Sequence, residues 1–319
     1  MDQAGTLRAI AAVSGHRTSM DPNADIKPVS KKKPAPSPSR PGSALVVAVT
    51  SGKGGVGKTN VVANVAVNLS KAGLKTLILD ADMGLGNIDV LLGLAPKYNI
   101  QHLLTGEKRL SEVLVRGPAG ILILPAASGV FELTDLSQQQ KMAILAELEA
   151  FTRRLDVVLI DTGAGISSNV IYFNALAHEI IVIAAPEPTS ITDAYALIKV
   201  MGVKHAVKNF NLLVNSVKNE REAKEVYRTL NSAAQRFLNI SINYLGHVTK
   251  DDHLPMAVRQ QQPLAELYPF SPANKCFETV ANDINLMRLN NQNAGGGAKF
   301  FWKGFLSNPG DMRLTVKTS

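Results

Sequence analysis

The sequence predicts an α/β protein: a P-loop fold with a doubly wound, mainly parallel sheet and helices on both faces. Three observations predict it. From Ala44 onward, short apolar runs at 44–50, 76–80, 121–124, 156–161, 179–185, 211–217 and 242–248 read as strands. Segments 59–72, 137–154, 189–208 and 219–237 lie between them with helical periodicity. The strands are apolar throughout rather than alternating, as strands buried on both faces must be.

The ends of the chain read differently. Residues 20–43, with Lys31-Lys32-Lys33-Pro34-Ala35-Pro36-Ser37-Pro38, have the Pro/Lys/Ser composition of a disordered linker. It tethers a short segment, 1–19, in which residues 2–13 suit a helix capped by Asp2. The folded domain spans 44–290 and closes with a helix near 272–290. A glycine hinge (Gly295-Gly296-Gly297) then leads into a basic, aromatic tail, so 291–319 forms a separate element.

Composition removes several function classes. The sole cysteine, Cys276, excludes an intramolecular disulfide and a cysteine-ligated cluster within one chain, and fits a reducing compartment. No apolar run approaches the roughly 20 residues of a membrane-spanning helix, and the start lacks the pattern of a signal peptide. The net charge of +8 suggests nucleic acid, but its distribution argues against it. Residues 1–43 hold seven basic and three acidic residues, and 295–319 hold four and one. The body is left with +1, so a DNA-binding face is not expected.

Gly52-Lys53-Gly54-Gly55-Val56-Gly57-Lys58-Thr59 fits the phosphate-binding pattern of Gly, four residues, Gly-Lys-Ser/Thr. It stands where that motif must, between the first strand and the first helix. The glycines let backbone N–H groups turn onto phosphate oxygens, and the helix N-terminus adds partial positive charge. Lys58 is placed for the β- and γ-phosphates and the Thr59 hydroxyl for Mg²⁺. Leu77-Ile78-Leu79-Asp80-Ala81-Asp82 brings two carboxylates to the C-terminal edge of the sheet, where open α/β sheets bind ligands.

The additional lysine, Lys53, makes the loop resemble the deviant Walker A motif of the MinD/ParA ATPases. The resemblance covers 44–290 and implies ATP and Mg²⁺ as ligands. It implies that Lys53 reaches across an ATP-dependent homodimer to the partner's nucleotide. It places Asp80 near the Mg²⁺ shell and makes Asp82 the residue that orients the attacking water. Val157-Val158-Leu159-Ile160-Asp161-Thr162-Gly163-Ala164-Gly165 looks like Walker B and its switch loop, with Asp161 on Mg²⁺. Asn215 matches the family's adenine contact. Asp251 aligns with a second adenine-side loop, although Thr249 stands where a proline is usual.

Within that family the sequence is most similar to the flagellar-number regulators (the FlhG/FleN/YlxH branch). Asn60 after Thr59, the run Asp82-Met83-Gly84-Leu85-Gly86-Asn87-Ile88-Asp89 and the terminal Asp2-Gln3-Ala4-Gly5-Thr6-Leu7-Arg8 carry that similarity. The branch implies that Asp2, Gln3, Leu7 and Arg8 activate a signal-recognition-particle-type GTPase (FlhF). A flagellar transcriptional activator and C-ring switch proteins are implied as further partners. The tail Lys299-Phe300-Phe301-Trp302-Lys303-Gly304-Phe305-Leu306 suits an anionic membrane surface, with Phe300, Phe301, Trp302, Phe305 and Leu306 entering it. The expected location is therefore the cytoplasm and, reversibly, the inner face of the cytoplasmic membrane, at a pole. Docking of the tail onto the protein itself is the competing expectation. A division-site (MinD-like) or a partition (ParA-like) ATPase is the alternative to the flagellar role, because both share the phosphate site.

Overall fold

The computed structural model describes residues 44–82, 86–126, 137–291 and 297–306. The chain divides into two units, 1–37 and 38–319. The first unit, with Asp2, Gln3, Leu7 and Arg8, lies outside the described residues, as does the linker 20–43.

Among the described residues, eight strands form one sheet: β1 (Leu45–Ser51), β2 (Thr76–Ala81), β3 (Val115–Arg116), β4 (Leu122–Leu124), β5 (Val157–Ala164), β6 (Glu179–Ala184), β7 (Phe210–Val217) and β8 (Ile242–Thr249). Their order is β3-β4-β2-β5-β1-β6-β7-β8. All seven expected strands are present. The addition is β3, which pairs antiparallel with β4 at one edge and is too short for periodicity to register. The helices are α1 (Lys58–Lys71), α2 (Ile88–Leu91), α3 (Ile100–Leu104), α4 (Leu110–Val113), α5 (Gln138–Thr152), α6 (Ser168–Leu176), α7 (Pro188–His205), α8 (Glu220–Leu238), α9 (His253–Arg259), α10 (Leu264–Leu267), α11 (Pro272–Asn291) and α12 (Gly297–Phe305).

Local signals explain where the helices start. The Ser137 hydroxyl accepts from the Gln140 N–H and the Gln140 side chain accepts from the Ser137 N–H, a capping box that opens α5. The side chains of Ser167 and Asn219 cap α6 and α8 in the same way, each accepting from a backbone N–H three residues on. One face of the sheet, with Val47, Ile78 and Leu159, buries against α1 and α11. The opposite face, with Val46, Leu79 and Ile160, buries against α5, α6 and α12. Two faces covered by helices are what continuous apolar strands demand.

The tail is where the structure departs from expectation. Phe301, Trp302, Phe305 and Leu306, expected to face a membrane, are 0–3% exposed and belong to the core of the molecule. The side chain of Phe300 lies outside the described residues. Helix α12 packs across α5, α6 and β1. The indole Nε1 of Trp302 donates to Thr152 Oγ1 at 2.7 Å, and the Tyr172 hydroxyl donates to the Gly304 carbonyl. The physical reason is visible in α6. Its stretch Val170-Ile171-Tyr172-Phe173 and Leu176 is largely apolar, so with one side turned to the sheet the helix still presents Phe173 and Leu176 for the tail to cover. Glycine at 304 makes the contact fit: a Cβ there would lie 2.2 Å from a methyl group of Leu176.

Each buried aromatic or leucine contributes about 1.5–3 kcal/mol. Trp302 is the single tryptophan of the chain, so its fluorescence reports docking directly. Wild-type emission is expected to be blue-shifted and poorly quenched by acrylamide, and Gly304→Leu is expected to red-shift it and raise quenching several-fold. Identical spectra for the two proteins would count against a docked tail in solution.

Candidate functional site

The phosphate loop runs from the end of β1 into α1. Gly55 (φ 78°) and Gly57 (φ 87°) take up left-handed backbone that a side chain disfavours. Space restricts the loop as well. A Cβ at Gly52 would meet the Asp193 backbone at 2.1 Å, and one at Gly57 would meet the Asn215 amide at 2.5 Å. Gly54 is exposed and Val56 is buried, while Asn60 sits half-buried in the first turn of α1, its carbonyl accepting from Asn64 Nδ2 at 2.8 Å. The loop is thus seated between β7 and the start of α7, with its N–H groups at the helix terminus.

Lys58 and Asp161 meet below the loop. Lys58 Nζ donates to Asp161 Oδ1 at 2.9 Å, and the two side chains are 7% and 2% exposed. Thr59 lies close enough to Asp161 to favour its charged form, as Lys58 does more strongly. Parallel pairing sets Asp80 of β2 directly beside Asp161 of β5. Asp80 Oδ1 in turn accepts the Asp82 N–H at 3.1 Å, and Asp82 lies beside Gly163 of the switch loop. The three carboxylates expected at the sheet edge are thereby brought together with Lys58 and Thr59.

This crowding shows in their titration. Burial, followed by the charge of Asp161, raises the Asp80 carboxyl from 3.8 to about 7. Burial also raises Asp161, opposed by Lys58. Among the described residues, no three carboxylate, histidine or cysteine side chains form a metal cage. The donor set fits Mg²⁺, which is characteristically held by one or two carboxylates with substrate phosphate and water. Thr59, Asp80 and Asp161 are the residues that fit it.

Other expected positions have different surroundings. The Lys53 ammonium is bound within its own chain, 2.8 Å from Glu187 Oε2 and 3.0 Å from Thr189 Oγ1, with the lysine 38% exposed. Glu187 and Thr189 lie more than 130 residues from Lys53, and no spacing in the sequence announces them. Asn215 is buried beside the loop, its Nδ2 donating to the Val56 carbonyl at 2.7 Å, which holds the loop and leaves its Oδ1 as an acceptor. Asp251 serves a structural role. One carboxylate oxygen accepts from the His253 N–H and contacts His253 Nδ1, and the other accepts from the Ala273 N–H at the start of α11. Its side chain is only 3% exposed and turned to the chain, so it is not offered to a base.

Residues 47–264 match the model of the CobQ/CobB/MinD/ParA nucleotide-binding domain. The chain belongs to the MinD/ParA family. It is a nucleotide-binding ATPase of that family, and sits with the branch that its sequence resembles. It is 39% identical over 264 residues to antiactivator FleN of Pseudomonas aeruginosa, covering 83% of this chain and 94% of that one. It is 33% identical to the flagellum site-determining protein YlxH of Helicobacter pylori, covering 75% and 81%. In three dimensions it matches MinD in the MinC:MinD cell division complex of Aquifex aeolicus with a TM-score of 0.60 at 27% identity, over 76% of this chain and 95% of that one.

The raised Asp80 carboxyl gives a testable pH dependence. Its folded value, about 7, lies above its ordinary 3.8, so the folded chain holds a proton that the unfolded chain releases. This contribution is complete below pH 3.8 and disappears as pH rises through 7. The melting temperature of nucleotide-free protein is expected to fall by several degrees between pH 6 and pH 8, and by clearly less in Asp80→Asn. Parallel curves for the two proteins would contradict a buried, protonated Asp80.

Proposed function

We propose that this ATPase is a nucleotide-gated switch that controls flagellar number and placement. The observation that carries the reading is the 39% identity to FleN over 264 residues, 94% of that protein. The fold match to MinD supports the same ATPase chemistry, and the lower identity there favours the flagellar reading over the division-site one.

In this reading ATP binding draws Lys58 from Asp161 onto the phosphates, because the phosphates carry more negative charge than one carboxylate. Backbone N–H groups of residues 54–59 hold the phosphate oxygens. Mg²⁺, when bound with ATP, withdraws charge from the phosphate oxygens. Asp82 orients the attacking water, and Asn215 Oδ1 accepts from the adenine amino group. Lys53 leaves Glu187 for the nucleotide of a second subunit, an exchange made easy by the exposed and hence weak ion pair it gives up. ATP thereby bridges a homodimer, and hydrolysis returns monomers.

The tail converts that cycle into a change of location. No helix among the described residues is long and apolar enough to cross a membrane, so attachment is peripheral in this reading. Helix α12 rests on α6, which follows the switch loop directly. Movement of the loop with the nucleotide loosens the cover and frees Phe300, Phe301, Trp302, Phe305 and Leu306 for an anionic membrane. One tail anchors weakly, while two on a dimer anchor usefully. The N-terminal element, with Asp2, Gln3, Leu7 and Arg8, activates a signal-recognition-particle-type GTPase, and the linker 20–43 gives it reach. A flagellar transcriptional activator and C-ring proteins complete the partners.

Microscopy of a deletion strain tests the biological role. Extra or misplaced flagella with normal division are expected. Normal flagella with minicells or anucleate cells would move the protein to division or partition.

A further inference from the structure

At the edge of the sheet opposite the phosphate loop, three chain reversals leave a hollow. The C-terminal end of α1 turns through Gly73 (φ 90°) into β2, a turn at Gly120 (φ 81°) leads into β4, and α5 ends ahead of β5. Between them lies a cavity of about 380 Å³. Its floor is apolar, formed by Leu74, Leu122 and Phe151, each half-buried. Its rim carries Lys75, Arg116 and Arg154, all exposed.

These three cations have no ion-pair partner among the described residues. The adjacent carboxylate, Asp156, is already committed, accepting from Arg288 Nη1 at 3.2 Å and from the Lys75 N–H at 2.9 Å. The folded body between the tails carries only +1, so this concentration of charge is local rather than a reflection of basic composition. Three uncompensated cations around an apolar hollow present two chemistries at once. The hollow is large enough for one bulky apolar side chain, and the rim calls for carboxylates on either side of it.

We propose that this cavity is a docking site for an acidic segment of a partner protein, anchored by one large apolar side chain. Free phosphate fits poorly, because an apolar floor donates no hydrogen bonds. A flat bilayer surface does not fill a concave site. The site lies at the N-terminal ends of β2 and β4, whereas the nucleotide loop lies at the C-terminal edge, so an occupant does not compete with ATP. It also reaches the tail: Phe151 lines the hollow, and the next residue, Thr152, holds Trp302. A partner seated here touches the same helical turn that secures α12.

The proposal rests on the reading of the chain as a switch with protein partners, and one set of samples separates the two. The probe is a fluorescein-labelled synthetic peptide with a central phenylalanine–leucine pair and two aspartates on each side, titrated with full-length protein by anisotropy. Binding is expected, with a loss of about tenfold or more when the central pair becomes alanine. A similar loss of about tenfold is expected for Arg116→Glu/Arg154→Glu. Both arginines are exposed, so the variant should keep the wild-type melting temperature and ATP turnover. Absence of binding, or binding that ignores either change, would overturn the proposal. So would association with phosphatidylglycerol vesicles or inorganic phosphate that the double variant abolishes while the peptide stays unbound. ATP-dependent dimerisation, measured by light scattering in the same samples, reports separately on the switch itself.

Discussion

The buried ion pair between Lys58 and Asp161 is the interaction on which the remainder of the molecule turns. Two opposite charges 103 residues apart meet at 2.9 Å with almost no access to water. Removing one partner of such a pair typically costs about 3–5 kcal/mol, because the other is left buried and uncompensated. Whatever takes Lys58 must therefore bring negative charge of its own, which is what a nucleotide phosphate does. The pair ties the phosphate loop to β5, and β5 runs on through Gly163 and Gly165 into α6. Charge at the loop is in this way one strand and one turn away from the helix that carries the tail.

That helix imposes the second constraint. Phe173 and Leu176 of α6 pack against the tail, so without it this side of α6 requires another apolar partner. Gly304 permits the close approach to Leu176, and Thr152 and Tyr172 satisfy the polar atoms that the aromatic tail brings with it. Intramolecular docking also avoids the entropy lost on association. The same side chains suit a membrane interface, so one segment has two apolar environments available to it. Their balance is what a nucleotide-dependent movement of α6 can tip.

Much of this was legible in the sequence, for physical reasons that can be named. The strands declare themselves because burial on both faces makes each an unbroken apolar run, and α1, α5, α7, α8 and α11 because one polar face leaves a period. The phosphate loop is legible because backbone conformation and close contacts at Gly52, Gly55 and Gly57 leave little choice of residue. Helix α6 was not foreseen, since its nine residues are few and place Ser168, Asn169 and Asn174 among apolar side chains in no helical period. The docking of Trp302 was open for a related reason: an amphipathic segment shows that it needs an apolar partner but not which one. Asp251 aligned with a ligand loop, yet its carboxylate is consumed by the Ala273 and His253 amides, contacts that depend on where α9 and α11 fall. The ion pair of Lys53 with Glu187 and the cation-rimmed cavity at Phe151 join residues far apart in the chain, and only the fold brings them together.

The coupling of nucleotide to tail is tested most directly by hydrogen exchange of the backbone amides of residues 297–306, in Asp82→Ala protein without nucleotide and with saturating Mg-ATP. Protection without nucleotide, lost from α12 and reduced in α6 on addition of ATP while β1, β5 and β6 stay protected, is the predicted result. Equal protection of α12 with and without ATP would contradict a switch that runs from the phosphate loop through α6 to the tail.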